Sequence, residues 1–313
     1  MPKRFEGSFV CDRYNILLDG LANDLDWKLV YSDALDKSDI YGDIILSLKT
    51  PQGADIINGR DKSWKTLMSL PEDIKVITYF SDIHMIRPKL ENEYQKAMLP
   101  VLARSNLILT AYWHPFCERF PYFTHKTIHF PHFYAPEHRY DMKPNPEALL
   151  KCLTCGISNN LYDLRKYLID HETECKTGLI AYLPHPGYTK DVKTTAKYKV
   201  KDDYAKELHK YYCGFVDCTH MQYVVGKYFE IPAAGSLLLA RYAKDLPKLG
   251  FKDGVNYIKV NSKNIVDYIY DILNNPSKYE DIRQAGWKFV HTKFGLSNRL
   301  AQLKSIIKNI AKS

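Results

Sequence analysis

A chain of 313 residues is long enough for two domains of roughly 150 that each bury a core. With 45% hydrophobic and 26% charged residues it reads as globular rather than disordered. It has no apolar run of about 18 residues, and MPKRFEGSFVCDRY lacks the apolar core of a signal peptide, so a cytoplasmic protein without a transmembrane segment is expected. The net charge of +8 suits an anionic ligand; it is scattered and no recognition motif accompanies it, so nucleic acid is not expected as a partner, while peripheral membrane contact stays open.

Tyr14, Ile16, Leu17, Leu18, Leu21 and Leu25 recur at helical spacing and predict a helix over residues 11–25. Asp24-Leu25-Asp26 has the form of a metal-binding DxD but reads better as a pair of surface aspartates, and no metal is expected. Short apolar runs at 27–31, 43–48, 75–80, 106–110 and 127–130 then alternate with helical or loop stretches, the pattern of an α/β lobe with a largely parallel sheet. A glycine-rich phosphate loop is missing from its start. Ligands of open parallel sheets sit beyond the carboxyl ends of strands, which singles out Asp82 and His84 after KVITYF, His114 after NLILTA and His132 after TIHF. Asp82, His84 and His114 are the candidates for proton transfer; alternatively Asp82 caps a turn and His84 packs.

Residues 135–147, with Pro136, Pro144 and Pro146, read as a linker. A strand from 148 or 149 to 154 follows, where Cys152 and Cys155 point to opposite faces and read as buried thiols rather than a zinc or redox pair; the odd total of seven cysteines also argues for reduced thiols. A helix over 161–171, capped by Ser158 or Asn159, carries Arg165 in its second turn, either for a phosphate or on a solvated face. A strand at 178–183, a lysine-rich loop, a helix at 204–212 and a strand at 214–218 come next.

YVVGKYFEIPAAGSLLLA, residues 223–240, reads as a helix closed by Pro232 to Gly235 and followed by a buried strand. Glu230, set among Phe229, Ile231 and Pro232, would be costly to bury without a hydrogen-bond partner, and a ribose diol is one. Lys227 lies three residues before it, near a helix N-terminus that favours phosphate; the plainer alternative is a surface Lys/Glu pair. A strand at 257–260 and helices at 262–274, 279–294 and 297–311 complete the chain, the last with Leu300, Leu303, Ile306, Ile307 and Ile310 on one face.

Gly226, Lys227, Phe229, Glu230, Ala233, Ala234, Gly235 and Leu237 to Leu239 resemble, in order, the nucleotide-sugar-binding segment of GT-B glycosyltransferases of the group 1 branch, in particular the CgeB-like (spore maturation protein) proteins. Gly156, Ser158, Tyr162 and Arg165, the run His185 to Tyr188, Asp253, Gly254, Asn256 and Gly286 extend the likeness. The resemblance implies two Rossmann-like lobes with an interlobe cleft: 1–140 on the acceptor side, 141–296 binding the donor, and a helix at 297–313 returning to the first lobe. It implies transfer of a sugar from a nucleotide diphosphate sugar to an acceptor hydroxyl of a glycan or other glycoconjugate, with Arg165, Gln222, Gly226, Lys227, Glu230 and Gly235 at the donor, Asp82, His84 or His114 as base, and no cofactor or metal. A nucleotide-sugar epimerase or hydrolase, or a non-catalytic binding scaffold, would share these features. Retaining members carry two glutamates eight residues apart; Glu230 matches the second, and Gln222 stands at the first, where an amide cannot supply a carboxylate's charge.

Overall fold

In the computed structural model, which describes residues 12–28, 42–48, 63–80, 93–187 and 194–312, the short apolar runs pair into two all-parallel sheets. The first has the order β1 (Ile44–Ser47), β2 (Lys75–Phe80), β3 (Leu107–Thr110), β4 (Thr127–His129), with Ile77 beside Leu107 and Ile108 beside Thr127. Helices α1 (Asp12–Leu25), α2 (Ser63–Met68), α3 (Glu93–Arg104) and α4 (Trp113–Arg119) alternate with these strands, and β2 is buried along nearly its whole length. Parallel strands covered on both faces read as continuous apolar runs, as KVITYF and LILT do.

The second sheet contains β5 (Leu149–Gly156), β6 (Ile180–Pro184), β7 (Tyr211–Val216), β8 (Leu237–Arg241) and β9 (Ile258–Val260), in the order β6-β5-β7-β8-β9. Its helices are α5 (Asp163–Cys175), α6 (Lys201–His209), α7 (Lys227–Ala233), α8 (Leu246–Leu249), α9 (Ile265–Asn274) and α10 (Glu280–Lys293). They cover both faces. Cys152 packs with Leu164, Leu168, Ile265 and Ile269, whereas Cys155 packs with Ala205, Leu208, Phe229 and Ile231. Both thiols are buried and free, on opposite faces as the strand period requires. The chain steps from β5 to β6 on one side and then crosses to β7 on the other, so the strand order reverses between β5 and β7.

Among the described residues, one compact unit contains Tyr14 to Pro131 and the chain from Arg299 onward; the other contains Asp12, Arg13 and His132 to Asn298. The last helix, α11 (Leu296–Lys312), therefore ends in the first unit, where Leu300 lies against Gly20, Lys304 pairs with Asp24 of the DxD triplet, and Arg299 sits over the Phe130 ring. No helix among the described residues is long and apolar enough to cross a membrane.

Three local expectations change. Residues 135–147 are packed rather than linking: Tyr140 is buried, Trp287 Nε1 donates to the Met142 carbonyl, and Arg283 Nη2 donates to that of Asn145. Helix α7 starts at Lys227, not near Tyr223, because Gln222 sits at φ +58° and the preceding amides close turns, Gln222 N–H to Thr219 O and Val225 N–H to Tyr223 O. The tyrosines at 211 and 212 belong to β7 rather than to α6; Tyr211 pairs with Leu149, and aromatic residues suit a half-buried strand. The strand expected at 27–31 lies largely outside the described residues.

Candidate functional site

The reversal between β5 and β7 is where an open α/β sheet offers a crevice at its carboxyl ends. Strand β5 ends at Gly156, whose φ of +123° few other residues adopt; a Cβ there would lie 2.8 Å from Arg165 Nη1. Arg165, only 2% exposed, thus runs directly beneath Gly156, donates from Nη1 to the Ile157 carbonyl at 2.8 Å and lies over the Tyr162 ring. Just past β7 the fully buried Asp217 accepts the backbone N–H groups of Leu164 and Arg165. Asn159, as expected of a cap, accepts from Leu161 N–H in the turn before α5.

Strand β6 leads to His185. Its Nδ1 accepts from Gly187 N–H at 2.9 Å, which leaves the proton of the neutral ring on Nε2. Burial, and then the charges of Lys227 and Arg165, pull its pKa down to about 4, so the ring is neutral at physiological pH.

Glu230, in the first turn of α7, is 8% exposed. Arg13 Nη2 donates to Oε1 at 2.5 Å, and the Tyr204 hydroxyl donates to Oε2 at 3.4 Å. Burial, Cys155 and Glu230 push the Tyr204 phenol well above its ordinary range, so it stays protonated and donates. Burial and the Glu230 charge do the same to Tyr140. Arg139 donates to the Ala135 carbonyl and to exposed Asp202, whose carboxyl it holds below the usual range through that hydrogen bond.

Arg13, Arg139, Tyr140, His185, Tyr204 and Glu230 line one pocket, open to solvent, at the carboxyl ends of β5 and β6. Among the described residues its wall carries the cations Arg13, Arg139, Lys199, Lys201 and Lys227 and one carboxylate, Glu230, paired with Arg13. Such a site attracts a multiply charged anion, and its phenols, imidazole and carboxylate can orient sugar hydroxyls by hydrogen bonding.

Of the residues expected at the donor, Lys227 and Glu230 line this pocket. Arg165 lies under the Gly156 floor rather than on the wall. Gly226 is pressed against Arg13: a Cβ there would lie 2.2 Å from Nη1. Gly235, at φ +81°, forms the turn into β8, packs on Pro144 and accepts Arg283 Nε at its carbonyl. Gln222 Oε1 accepts from Lys244 N–H and holds a turn outside the pocket wall. His114 stands in α4 of the first unit, and Asp82 and His84 lie outside the described residues. Arg13, Arg139, Tyr140, Tyr204 and His185 were not singled out from the sequence as site residues. Arg13 is 217 positions from Glu230, a pairing that spacing cannot reveal; His185 carried a local signal, its strand-end position before a Pro-Gly turn.

Residues 168–305 match the family described as Glycosyl transferase-like. No curated protein matches the sequence. Solved structures with similar folds include an alpha-glucosyltransferase in complex with UDP-glucose and DNA containing an abasic site (TM-score 0.63, 11% identity, 98% of each chain covered). A glycosyltransferase from Rickettsia africae superposes with TM-score 0.59 at 12% identity over 97% of this chain and 82% of that one. HepE from Anabaena in complex with UDP-glucose does so with TM-score 0.58 at 11% identity, over 85% and 79%. The α/β architecture of two parallel-sheet units is that of the GT-B glycosyltransferases.

Proposed function

We propose that the protein transfers a sugar from a nucleotide diphosphate sugar to an acceptor hydroxyl and holds the donor in the pocket of its second unit. The observation that carries this reading is the placement of Arg13, Arg139, Lys199, Lys201 and Lys227 around the buried Glu230 at the strand-order reversal. The family match over 168–305 and the UDP-glucose held by two fold neighbours support it.

In this reading the acceptor oxygen attacks the anomeric carbon, the bond from that carbon to the diphosphate breaks, and the diphosphate leaves with the electron pair. Lys227, with Lys199, Lys201 and Arg139, meets the departing charge, an arrangement that needs no metal ion. His185, neutral with its proton on Nε2, donates to a phosphate or sugar oxygen. Glu230 accepts from the ribose hydroxyls. The hydroxyl proton goes to a base, for which Asp82, His84 and His114 are the candidates. Arg165 acts from beneath, its buried charge adding to the field at Gly156. Gly235, at φ +81°, makes the turn that closes α7, Gly226 leaves room for Arg13 beside Glu230, and Gln222 holds the turn before them.

Incubation with UDP-, GDP- and dTDP-sugars, with and without a panel of hydroxyl acceptors, tests the proposal by nucleotide release and product mass. Acceptor-dependent release with a glycosylated product is expected. Release without transfer identifies a hydrolase, isomerised donor an epimerase, and either outcome overturns it.

A further inference from the structure

Resting on the reading of this pocket as a donor site, we infer that Arg13 is a positioning residue: it orients Glu230 for the ribose, and residue 226 is glycine so that Arg13 can reach it. The guanidinium is anchored twice, by Nη1 to the Phe133 carbonyl at 3.0 Å and by Nη2 to Glu230 Oε1 at 2.5 Å. Two anchors at different nitrogens fix its plane. That plane lies on Gly226, where a Cβ would meet Nη1 at 2.2 Å and Cζ and Nη2 at 2.9 Å. The atoms it would meet belong to the end of a flexible side chain, so a methyl at 226 displaces Arg13 rather than the backbone.

Glu230 needs such a partner. Its neighbours Phe229 and Ile231 are fully buried, and a carboxylate in their company is stable as an anion only with a charged or well-aligned donor. Among the described residues Tyr204 gives it just the long 3.4 Å bond at Oε2. Arg13 therefore occupies Oε1 and leaves Oε2 turned to a ligand that brings its own hydroxyls. The effect of Arg13 is transmitted through Glu230 to the ribose, whereas Lys227 acts on the phosphates.

The distinction between ribose and phosphate supplies the test. The dissociation constants of a nucleoside diphosphate (UDP or GDP) and of inorganic pyrophosphate are measured by calorimetry for the wild type, Arg13→Ala, Arg13→Lys and Gly226→Ala, with melting temperatures alongside. Arg13→Ala is expected to weaken the nucleoside diphosphate by about tenfold or more and to leave pyrophosphate within about twofold, the loss of one charge-assisted contact being specific to the ribose end. Arg13→Lys recovers part of the loss. Gly226→Ala reproduces it, and the double variant Arg13→Ala/Gly226→Ala is no weaker than either alone because both act through one contact. In turnover, the donor KM rises while kcat changes little. Equal weakening of pyrophosphate makes Arg13 a phosphate ligand and overturns the inference, as does unchanged nucleotide binding or additivity of the two substitutions. A folded wild type that binds neither ligand at millimolar concentration overturns the donor-site reading itself, and the inference with it.

Discussion

Asp217 Oδ2 accepts the backbone N–H groups of Leu164 and Arg165, at 3.1 and 3.0 Å, and so closes the N-terminus of α5 from the end of β7. The end of a helix is a ready anion site, and here a residue of the protein fills it. A ligand phosphate near Arg165 would therefore meet side-chain charge, not those two amides.

Burial raises the Asp217 pKa above its ordinary value, partly opposed by the Arg165 N–H bond and by the positive charge of Arg241. A raised carboxyl pKa contributes stability that is present below the unfolded value and lost as pH rises through the folded value. Asp217→Ala, which strips the two amides of their acceptor, is expected to cost about 2–4 kcal/mol. Asp217→Asn keeps an acceptor oxygen without a charge and should stay within about 1 kcal/mol, its standing against wild type improving from pH 4 toward pH 7. Urea unfolding across that range is the check; an Asn variant as unstable as Ala contradicts the account.

His185 predicts an opposite pH trend. Its folded pKa of about 4 lies below the unfolded value of 6.5, so over that window the unfolded chain binds a proton that the folded protein does not. Its contribution to stability is present above pH 6.5 and lost as pH falls toward 4. His185→Gln should flatten that part of the melting-temperature profile, and parallel profiles for variant and wild type would falsify the assignment of a buried neutral ring.

Two glycines with similar backbone angles separate strain from crowding. Gly254, at φ +70°, has open space where a Cβ would go, so Gly254→Ala pays only the left-handed conformation, about 1–2 kcal/mol. At Gly235, φ +81°, a Cβ would lie 2.7 Å from Pro144 Cα, which is backbone and cannot yield cheaply. Gly235→Ala is expected to cost about 1–3 kcal/mol more than Gly254→Ala. Equal costs would show that residues 143–144 move freely.

Glu230→Gln should weaken nucleoside diphosphate binding by about 1.5–3 kcal/mol, the range for hydrogen bonds to a charged group. The structure adds a cost to the unliganded protein, since Arg13 loses the charge it pairs with, so binding is to be measured well below either melting temperature. Normal affinity in a variant that merely unfolds early would make Glu230 structural.

Much of the fold was legible because both sheets are parallel and buried, so that strands such as KVITYF and LLLAR stand out as apolar runs between helices. The misreadings fall where tertiary contacts override local pattern. Pro136, Pro144 and Pro146 suggested a linker, yet between them Tyr140 is buried against the Tyr134 ring and the Met142 carbonyl accepts from Trp287. Val224 and Val225 carry a helical spacing that the left-handed Gln222 interrupts. Glu230 was recognisable from its apolar neighbours, and Lys227 from its distance to Glu230. Their partners were not: Arg13 lies 217 positions away in the sequence, and Tyr204 stands at the start of the helix expected at 204–212 with nothing local to tie it to Glu230.

The central claim is that the cations of this pocket hold a nucleoside diphosphate. Calorimetric titration of the wild type and of Lys227→Glu with UDP and GDP at two salt concentrations tests it most directly. The account predicts micromolar to millimolar binding of at least one nucleotide by the wild type, weaker at higher salt, and a loss of about tenfold or more in Lys227→Glu with an unchanged melting temperature. Equal affinity in wild type and Lys227→Glu, or no binding of either nucleotide to folded wild type, would contradict it.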